Sequence, residues 1–444
     1  VIQRHTENPK GNLSRGESRC ADGEAAARQR GGERLADYNT LDDFDFRNKS
    51  VLLRPDINCP LDRETLAIED DNRIRQILPT LNEMLSKGAK VAILAHQGRP
   101  GEWDYAPLKE HAKVLGSLLG KHVAYIDDIC GPVAIEAIRS LSPGDVIVLK
   151  NVRELPYELD KKTMEEHAKS ELVTTLSPLF DYYVTDAFAA SHRSQCSLVG
   201  FQAVLPSAAG RLMERELSAL KMVFDNPKRP SVFVFGGAKF ADSVKVVDRV
   251  LSKRIADFVI LVGVTGNAFL MARGVKLGKA SEEFVQKELK PEDMEAARKL
   301  LLEKGEKILL PYDVAVESDC RRRELLVGNL PVEQAIMDIG RGSIDKFSKV
   351  IAHCGTFFMS GPAGVFEKES FAIGTKALLE AAANSGCYSV IGGGHTAACA
   401  ERFGVAKKLS YISTGGGAME TYILGKQLPV LEALKAAYNR KCPA

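Results

Sequence analysis

From Leu41 onward the chain alternates between two hydrophobic patterns. Short apolar runs recur at KSVLLR (49–54), AKVAILA (89–95), HVAYI (122–126), DVIVLK (145–150) and YYVTD (182–186). Between them stand segments whose apolar residues lie three or four apart, such as IRQILPTLNEMLSKG, closing on Gly88, and LKEHAKVLGSLLGK, with Gly120 near its end. Continuous runs of Val, Ile and Leu separated by amphipathic helices predict βαβ units around a parallel sheet buried on both faces.

The segment SAAGRLMERELSALKMVFDNPKRP (207–230) breaks this rhythm. Leu212, Leu217, Leu220 and Val223 have helical spacing, and DNPKRP stops the helix. The alternation then restarts with SVFVFGG, DFVILVG, KILLPYDV, GTFFMSGP, GCYSVIGGG and KLSYISTGGG. The predicted fold class is α/β: two doubly wound, parallel-sheet, Rossmann-like domains facing a cleft and joined by a hinge helix. The expected boundaries are 39–205 for the first domain, 206–225 for the helix and 226–425 for the second domain. Residues 426–444 are expected to return to the first domain.

Residues 1–38 stand apart, rich in Arg, Glu, Gly and Ala and poor in large apolar side chains. Such a stretch cannot bury enough surface to offset its ordering entropy, which predicts a disordered extension. Its interspersed glutamates argue against a transit peptide.

Composition adds mostly exclusions. A formal net charge of +2 gives no bulk attraction to nucleic acid or anionic membrane, so neither is an expected partner. No apolar run approaches the ~20 residues of a spanning helix. The nine cysteines form no C-x-x-C pair, the usage of reduced thiols in a cytoplasmic protein. The eight histidines show no zinc spacing. His111 and His167 fall where a helix surface is expected.

The chemistry gathers at the carboxyl ends of the predicted strands, where open parallel sheets bind ligands. In the first half these ends carry Arg54, Asp56 and Asn58; His96 and Arg99; Arg153; and Asp186, His192 and Arg193, with Arg73 early in a helix. Several arginine forks with a histidine suit a compact, highly anionic molecule. In the second half the ends carry glycines: Gly236 and Gly237, Gly263, Gly361, Gly392, Gly393 and Gly394, and Gly415, Gly416 and Gly417. Glycines at strand-to-helix turns let backbone N–H groups approach phosphates, and the helix N-terminus adds partial positive charge. Lys239 comes just after one such turn and offers a point charge, while Glu367 offers a carboxylate to ribose hydroxyls. IGGGHT fits the loose form G-x-G-x-x-A, which keeps a dinucleotide-dependent dehydrogenase as an alternative. The acid such a site needs about 20 residues on is missing, and no Walker-type P-loop occurs.

The motifs RPDINCP (54–60), AHQGRP (95–100), DAFAASHRSQCSLVG (186–200), FGGAK (235–239), SGPAGVFE (360–367), GGGHT (392–396) and STGGGA (413–418) stand in this order. Over about residues 41–435 the chain resembles the phosphoglycerate kinase family, most of all its archaeal branch. The resemblance implies reversible transfer of the acyl phosphate of 1,3-bisphosphoglycerate to ADP, giving 3-phosphoglycerate and ATP, with Mg2+ carried on the nucleotide. It implies a triose site of Arg54, Arg73, His96, Arg99, Arg153, His192 and Arg193, with Asp56 and Asn58 at the hydroxyl and carboxylate end. It implies a nucleotide site of Gly236, Gly237, Lys239, Gly263, Gly361, Glu367, Gly392, Gly393, Gly394 and Thr396. Arg73, Lys239 and the amides of Gly416 and Gly417 would surround the moving phosphoryl group as catalytic groups, in a monomer or homodimer. Four positions depart from the common family pattern. Ser243 stands where many members carry a second lysine, Ser360 where Asn is frequent, and Pro55 where Val is usual. His395 replaces the acid that commonly comes after the glycine turn, so no metal ligand is assigned. A non-catalytic binding protein derived from the same fold is the second alternative.

Overall fold

The computed structural model describes residues 37–237, 240–287 and 289–440. The expected disorder of the N-terminal extension and the Lys239 side chain lie outside the described residues, apart from Asp37 and Tyr38. Those two belong to the fold: Tyr38 is buried and Asp37 pairs with Lys435 at 3.2 Å. The described residues divide into two compact units, 37–215 with 427–440 and 216–426. The division falls inside one helix, Arg211–Phe224.

The first unit holds a six-stranded parallel sheet of β1 (Ser50–Pro55), β2 (Lys90–Ile93), β3 (Ala124–Ile126), β4 (Val146–Leu149), β5 (Tyr182–Asp186) and β6 (Ser207–Ala209), in the order β3-β4-β2-β1-β5-β6. Successive side chains on a strand point to opposite faces. Val51, Leu53, Val91, Ile93, Val148 and Val184 accordingly join one buried cluster, and Leu52, Ala92, Leu94, Ile147, Leu149 and Tyr183 another. Each of the Val, Leu and Ile side chains, taken out of water, contributes about 1.5–3 kcal/mol. The helix Asn72–Ser86 buries Ile74, Ile77, Leu81 and Met84, one helical stripe, against the first cluster. The helix Lys109–Leu119 stops on Gly120 at φ 65°, a left-handed cap that favours glycine. The C-terminal helix Pro429–Asn439 packs within this unit, against β6 and the turns around residues 196–203.

The second unit opens with β7 (Ser231–Phe235), β8 (Phe258–Leu261) and the two-residue β9 (Ile308–Leu309). The expected single strand in KILLPYDV breaks at Pro311. Beyond that break the chain builds an antiparallel sheet that the hydrophobic pattern did not announce: β10 (Asp313–Ser318), β11 (Arg321–Leu326) and β12 (Ile336–Ile339), ordered β11-β10-β12. Asp319 and Cys320, both at positive φ (51° and 57°), close the β10–β11 hairpin with the twist a two-residue turn requires. β11 is polar and half-exposed, so it carries no apolar signal. β13 (Thr356–Ser360), β14 (Tyr388–Gly392) and β15 (Tyr411–Ser413) complete the second six-stranded parallel sheet, ordered β15-β14-β13-β7-β8-β9. Both large sheets are parallel, in keeping with the predicted fold class.

Candidate active site

In the first unit the strand order reverses about β1, whose neighbours are β2 and β5. At a switch point the loops leaving neighbouring strands diverge and leave a crevice at their carboxyl ends. Arg54 lies near the end of β1 and is fully buried. Its guanidinium donates from Nε to Ser197 Oγ at 2.9 Å and from one terminal nitrogen to the Pro55 carbonyl at 2.6 Å. The other terminal nitrogen donates to His96 Nδ1 at 3.0 Å. A guanidinium only donates, so His96 is a neutral acceptor at Nδ1 and carries its proton on Nε2. Burial first, then the charges of Arg54, Arg153, Arg193 and Arg73, hold His96 well below the ordinary histidine value.

The other expected triose residues belong to the same electrostatic group. Arg153, buried on a short turn after β4, donates to the Gly98 carbonyl, while its Nε is buried without a partner among the described residues. Burial and then the charges of Arg193 and Arg54 push Arg153 down to about 10. Arg193 is likewise lowered, chiefly by burial, and Arg193 Nε donates to His192 Nε2 at 3.3 Å. Arg99 is exposed on the loop after β2, and its charge reaches both Arg153 and Arg193. Asp56 accepts from Arg73 and from the Asn58 backbone N–H, and Asn58 Oδ1 accepts from Gly98 N–H at 2.8 Å. Neighbouring guanidinium charges thus add to burial in lowering His96, Arg153 and Arg193, with an orphaned buried donor among them. Guanidinium groups outnumber carboxylates here, a setting that suits anionic groups.

Three expectations change. His111 and His167 are buried, not on a helix surface. His111 Nε2 donates to Gln97 Oε1 at 3.0 Å, and burial takes His111 down to about 4. His167 Nε2 meets the Ser194 carbonyl at 3.0 Å. Asp186, at the end of β5, turns away from ligand chemistry: it accepts from Thr80 Oγ1 at 2.6 Å and from Met213 N–H at 2.9 Å, tying two helices to the sheet.

In the second unit the reversal falls between β7 and β13. The glycine turns at these ends press backbone on backbone. A Cβ on Gly236 would stand 2.2 Å from the Pro362 carbonyl oxygen, and one on Gly361 would stand 2.4 Å from the Gly236 carbonyl carbon. Gly263, at φ 55°, would bring a Cβ within 2.7 Å of the same Pro362 oxygen. Gly361 N–H donates to Thr396 Oγ1 at 2.8 Å, so buried Thr396 ties the β14 turn to the β13 turn. Gly393 is at φ 88° and Gly416 at φ 42°. The packing leaves Gly394 exposed at the start of the helix Gly394–Arg402 and Gly416 exposed at the start of the helix Gly416–Ile423. The helices Phe240–Ser252 and Gly263–Ala272 begin after β7 and β8. Four helix N-termini therefore stand at the carboxyl end of one sheet, a setting for anionic oxygens. Glu367 is exposed on the turn after β13, and its charge reaches Cys399. His395 is exposed too, its ring 5.7 Å from that of Phe366. Ser243 Oγ lies 3.4 Å from Thr265 Oγ1.

Glu216 joins the site without any warning in the sequence. Fully buried, it accepts from Ser413 Oγ at 2.7 Å, Thr414 N–H at 2.8 Å and Thr414 Oγ1 at 2.9 Å. It thereby sets the turn that carries Gly416 and Gly417. A glutamate within an amphipathic helix gives no sign of such a role, because its partners lie almost 200 residues on.

The family model described as phosphoglycerate kinase matches residues 41–426. The phosphoglycerate kinase of Methanobacterium bryantii is 45% identical over 397 residues, covering 89% of this chain and 97% of that one. That of Methanothermus fervidus is 43% identical, covering 91% and 98%. Among solved structures, the phosphoglycerate kinase of Pyrococcus horikoshii superposes with a TM-score of 0.82 at 41% identity, covering 90% of this chain and 99% of that one. With these matches spanning both sheets and every glycine turn, the chain belongs to the phosphoglycerate kinase family.

Proposed function

We propose that the chain catalyses reversible transfer of the acyl phosphate of 1,3-bisphosphoglycerate to ADP, giving 3-phosphoglycerate and ATP. The observation that carries this reading is the gathering of Arg54, Arg153 and Arg193 around the buried His96, with Arg153 Nε buried and without a partner among the described residues. A small polyanion such as a phosphorylated carboxylic acid suits these guanidinium groups. In this reading Arg54, Arg73, His96, Arg99, Arg153, His192 and Arg193 hold its anionic groups, and Asp56 and Asn58 its hydroxyl and carboxylate end.

The glycine turns support the nucleotide half. Their close backbone contacts leave N–H groups and helix N-termini for phosphates, with Gly236, Gly237, Gly263, Gly361 and Gly392–Gly394 lining them. Thr396 acts by holding the Gly361 turn, and Glu367 offers its carboxylate to the ribose. Phosphoryl transfer needs positioning and charge neutralisation more than covalent help from the protein. Arg73, Lys239 and the amides of Gly416 and Gly417 fill that role in a direct in-line step. The two half-sites have to meet for the group to cross, and meeting excludes the water that would hydrolyse an acyl phosphate. We assign magnesium to the nucleotide phosphates. Among the described residues no three His, Cys, Asp or Glu side chains converge as ligands.

The test is a coupled assay of ADP formation from ATP and 3-phosphoglycerate, repeated with chelator and with magnesium restored. Turnover that stops and returns with the ion is expected, and absence of turnover in the untreated protein would overturn the reading. Arg73→Ala and Lys239→Ala are expected to lose most of kcat. Wild-type rates in both would remove their catalytic assignment.

A further inference from the structure

Behind Arg54 lies a chain of buried groups that the triose reading does not use. Glu158, a few residues past the turn bearing Arg153, is fully buried. Its Oε2 accepts from the backbone N–H of Ser197 at 2.8 Å, and its Oε1 from Ser197 Oγ at 2.6 Å. Ser197, itself buried, spends its only hydroxyl hydrogen on Glu158, so its lone pairs face Arg54 Nε at 2.9 Å. The Ser197 carbonyl in turn accepts from the Tyr183 phenol O–H at 2.9 Å, which fixes the Ser197 backbone.

Each link has one donor direction. The Ser197 hydroxyl donates to Glu158, Arg54 Nε donates to Ser197, and the far nitrogen of Arg54 donates to His96 Nδ1. A guanidinium is a rigid fork, so fixing Nε fixes where its terminal nitrogens point. Burial pushes Glu158 upward, while the Arg54 charge and the two Ser197 bonds favour its anion. Through Ser197, Glu158 thus holds the Nε edge of an arginine whose terminal nitrogens reach Pro55 and His96. A buried polar chain satisfied at every link selects one arrangement, whereas one broken link leaves the next group unpaired.

We propose that Glu158 is a positioning residue for the phosphotransfer reaction, holding Arg54 through Ser197 so that His96 stays a neutral Nε2–H donor toward the triose. The inference rests on the reading of Arg54 and His96 as triose ligands. Glu158 touches neither substrate in this scheme and acts only through the relay.

The test uses the full-length protein with Ser197→Ala, Glu158→Gln and Arg54→Met variants. Steady-state kinetics give KM for 3-phosphoglycerate and for ATP, and long-range 15N–1H spectra of 15N-histidine protein give the His96 tautomer. Assignment comes from His96→Gln. Ser197→Ala removes one hydroxyl and carries the test if Glu158→Gln fails to fold. Expected in Ser197→Ala are loss of the pure Nε2–H signature, KM for 3-phosphoglycerate raised at least about tenfold, the scale of one charge-assisted hydrogen bond, and an unchanged KM for ATP. A tautomer that stays fixed, or a triose KM within twofold of wild type, overturns the relay. A normal triose KM in Arg54→Met overturns the site assignment itself. A raised KM there with a normal one in Ser197→Ala overturns the relay alone.

Discussion

Alanine placed at the glycine turns of the nucleotide unit should have effects graded by backbone geometry. At Gly236 the added Cβ would stand 2.2 Å from the Pro362 oxygen and 2.9 Å from the Gly361 oxygen. Both are backbone atoms, so relief means separating the β7 and β13 turns by close to an ångström. That motion also strains the Gly236 N–H bond to the Ser360 carbonyl, now 2.9 Å. Overpacking costs about 1–3 kcal/mol and the lost hydrogen bond about 1 more, which places Gly236→Ala near 2–4 kcal/mol. Gly237 is at φ 80° with its nearest contact at 3.7 Å, so Gly237→Ala carries only the left-handed cost of about 1–2 kcal/mol. Gly394 begins a helix with nothing within 4 Å, and alanine there should be neutral or stabilising by up to about 1 kcal/mol. Urea unfolding tracked by far-UV circular dichroism reports both units, whereas the single tryptophan, Trp103, lies in the first. Gly236→Ala should therefore lower the midpoint of the circular dichroism transition. Equal costs at 236 and 394, or a Gly236→Ala cost under about 0.5 kcal/mol, would refute the argument, since overpacking of this kind costs at least about 1.

Two further outcomes rest on buried groups. Thr396→Val keeps the volume but orphans Gly361 N–H, at a cost of about 1–3 kcal/mol. KM for ATP should rise with KM for 3-phosphoglycerate unchanged, and Thr396→Ser should restore it; an unchanged KM for ATP in Thr396→Val would count against the role. Asp186, fully buried, is pushed up to about 6 by burial against an ordinary value of 3.8. It binds its proton more tightly folded than unfolded, so its contribution is full below the ordinary value and is lost as pH rises toward 6. The advantage of wild type over Asp186→Asn should shrink by up to about 3 kcal/mol across that window. A pH-independent difference in urea unfolding would show that Asp186 does not titrate there.

The sequence by itself determined the two α/β sheets, the basic first half and the glycine-rich second half, because each signal is local. Alternation along a strand, a helical stripe and glycine at a strand-to-helix turn are set by a few neighbouring residues. His111 and His167 went astray because a helix has two sides, and only the packed partners, Gln97 and the Ser194 carbonyl, decide which side is inside. The β10–β12 sheet was silent because β11 pairs through backbone groups and buries little side chain. The supports behind the ligand groups belong to tertiary structure alone. Glu158 finds Ser197 across 39 residues and Glu216 finds Ser413 across 197. A lone glutamate in a chain carries no mark of burial. Only the fold, by removing water from both partners, turns that carboxylate from a solvated charge into a fixed point of the site.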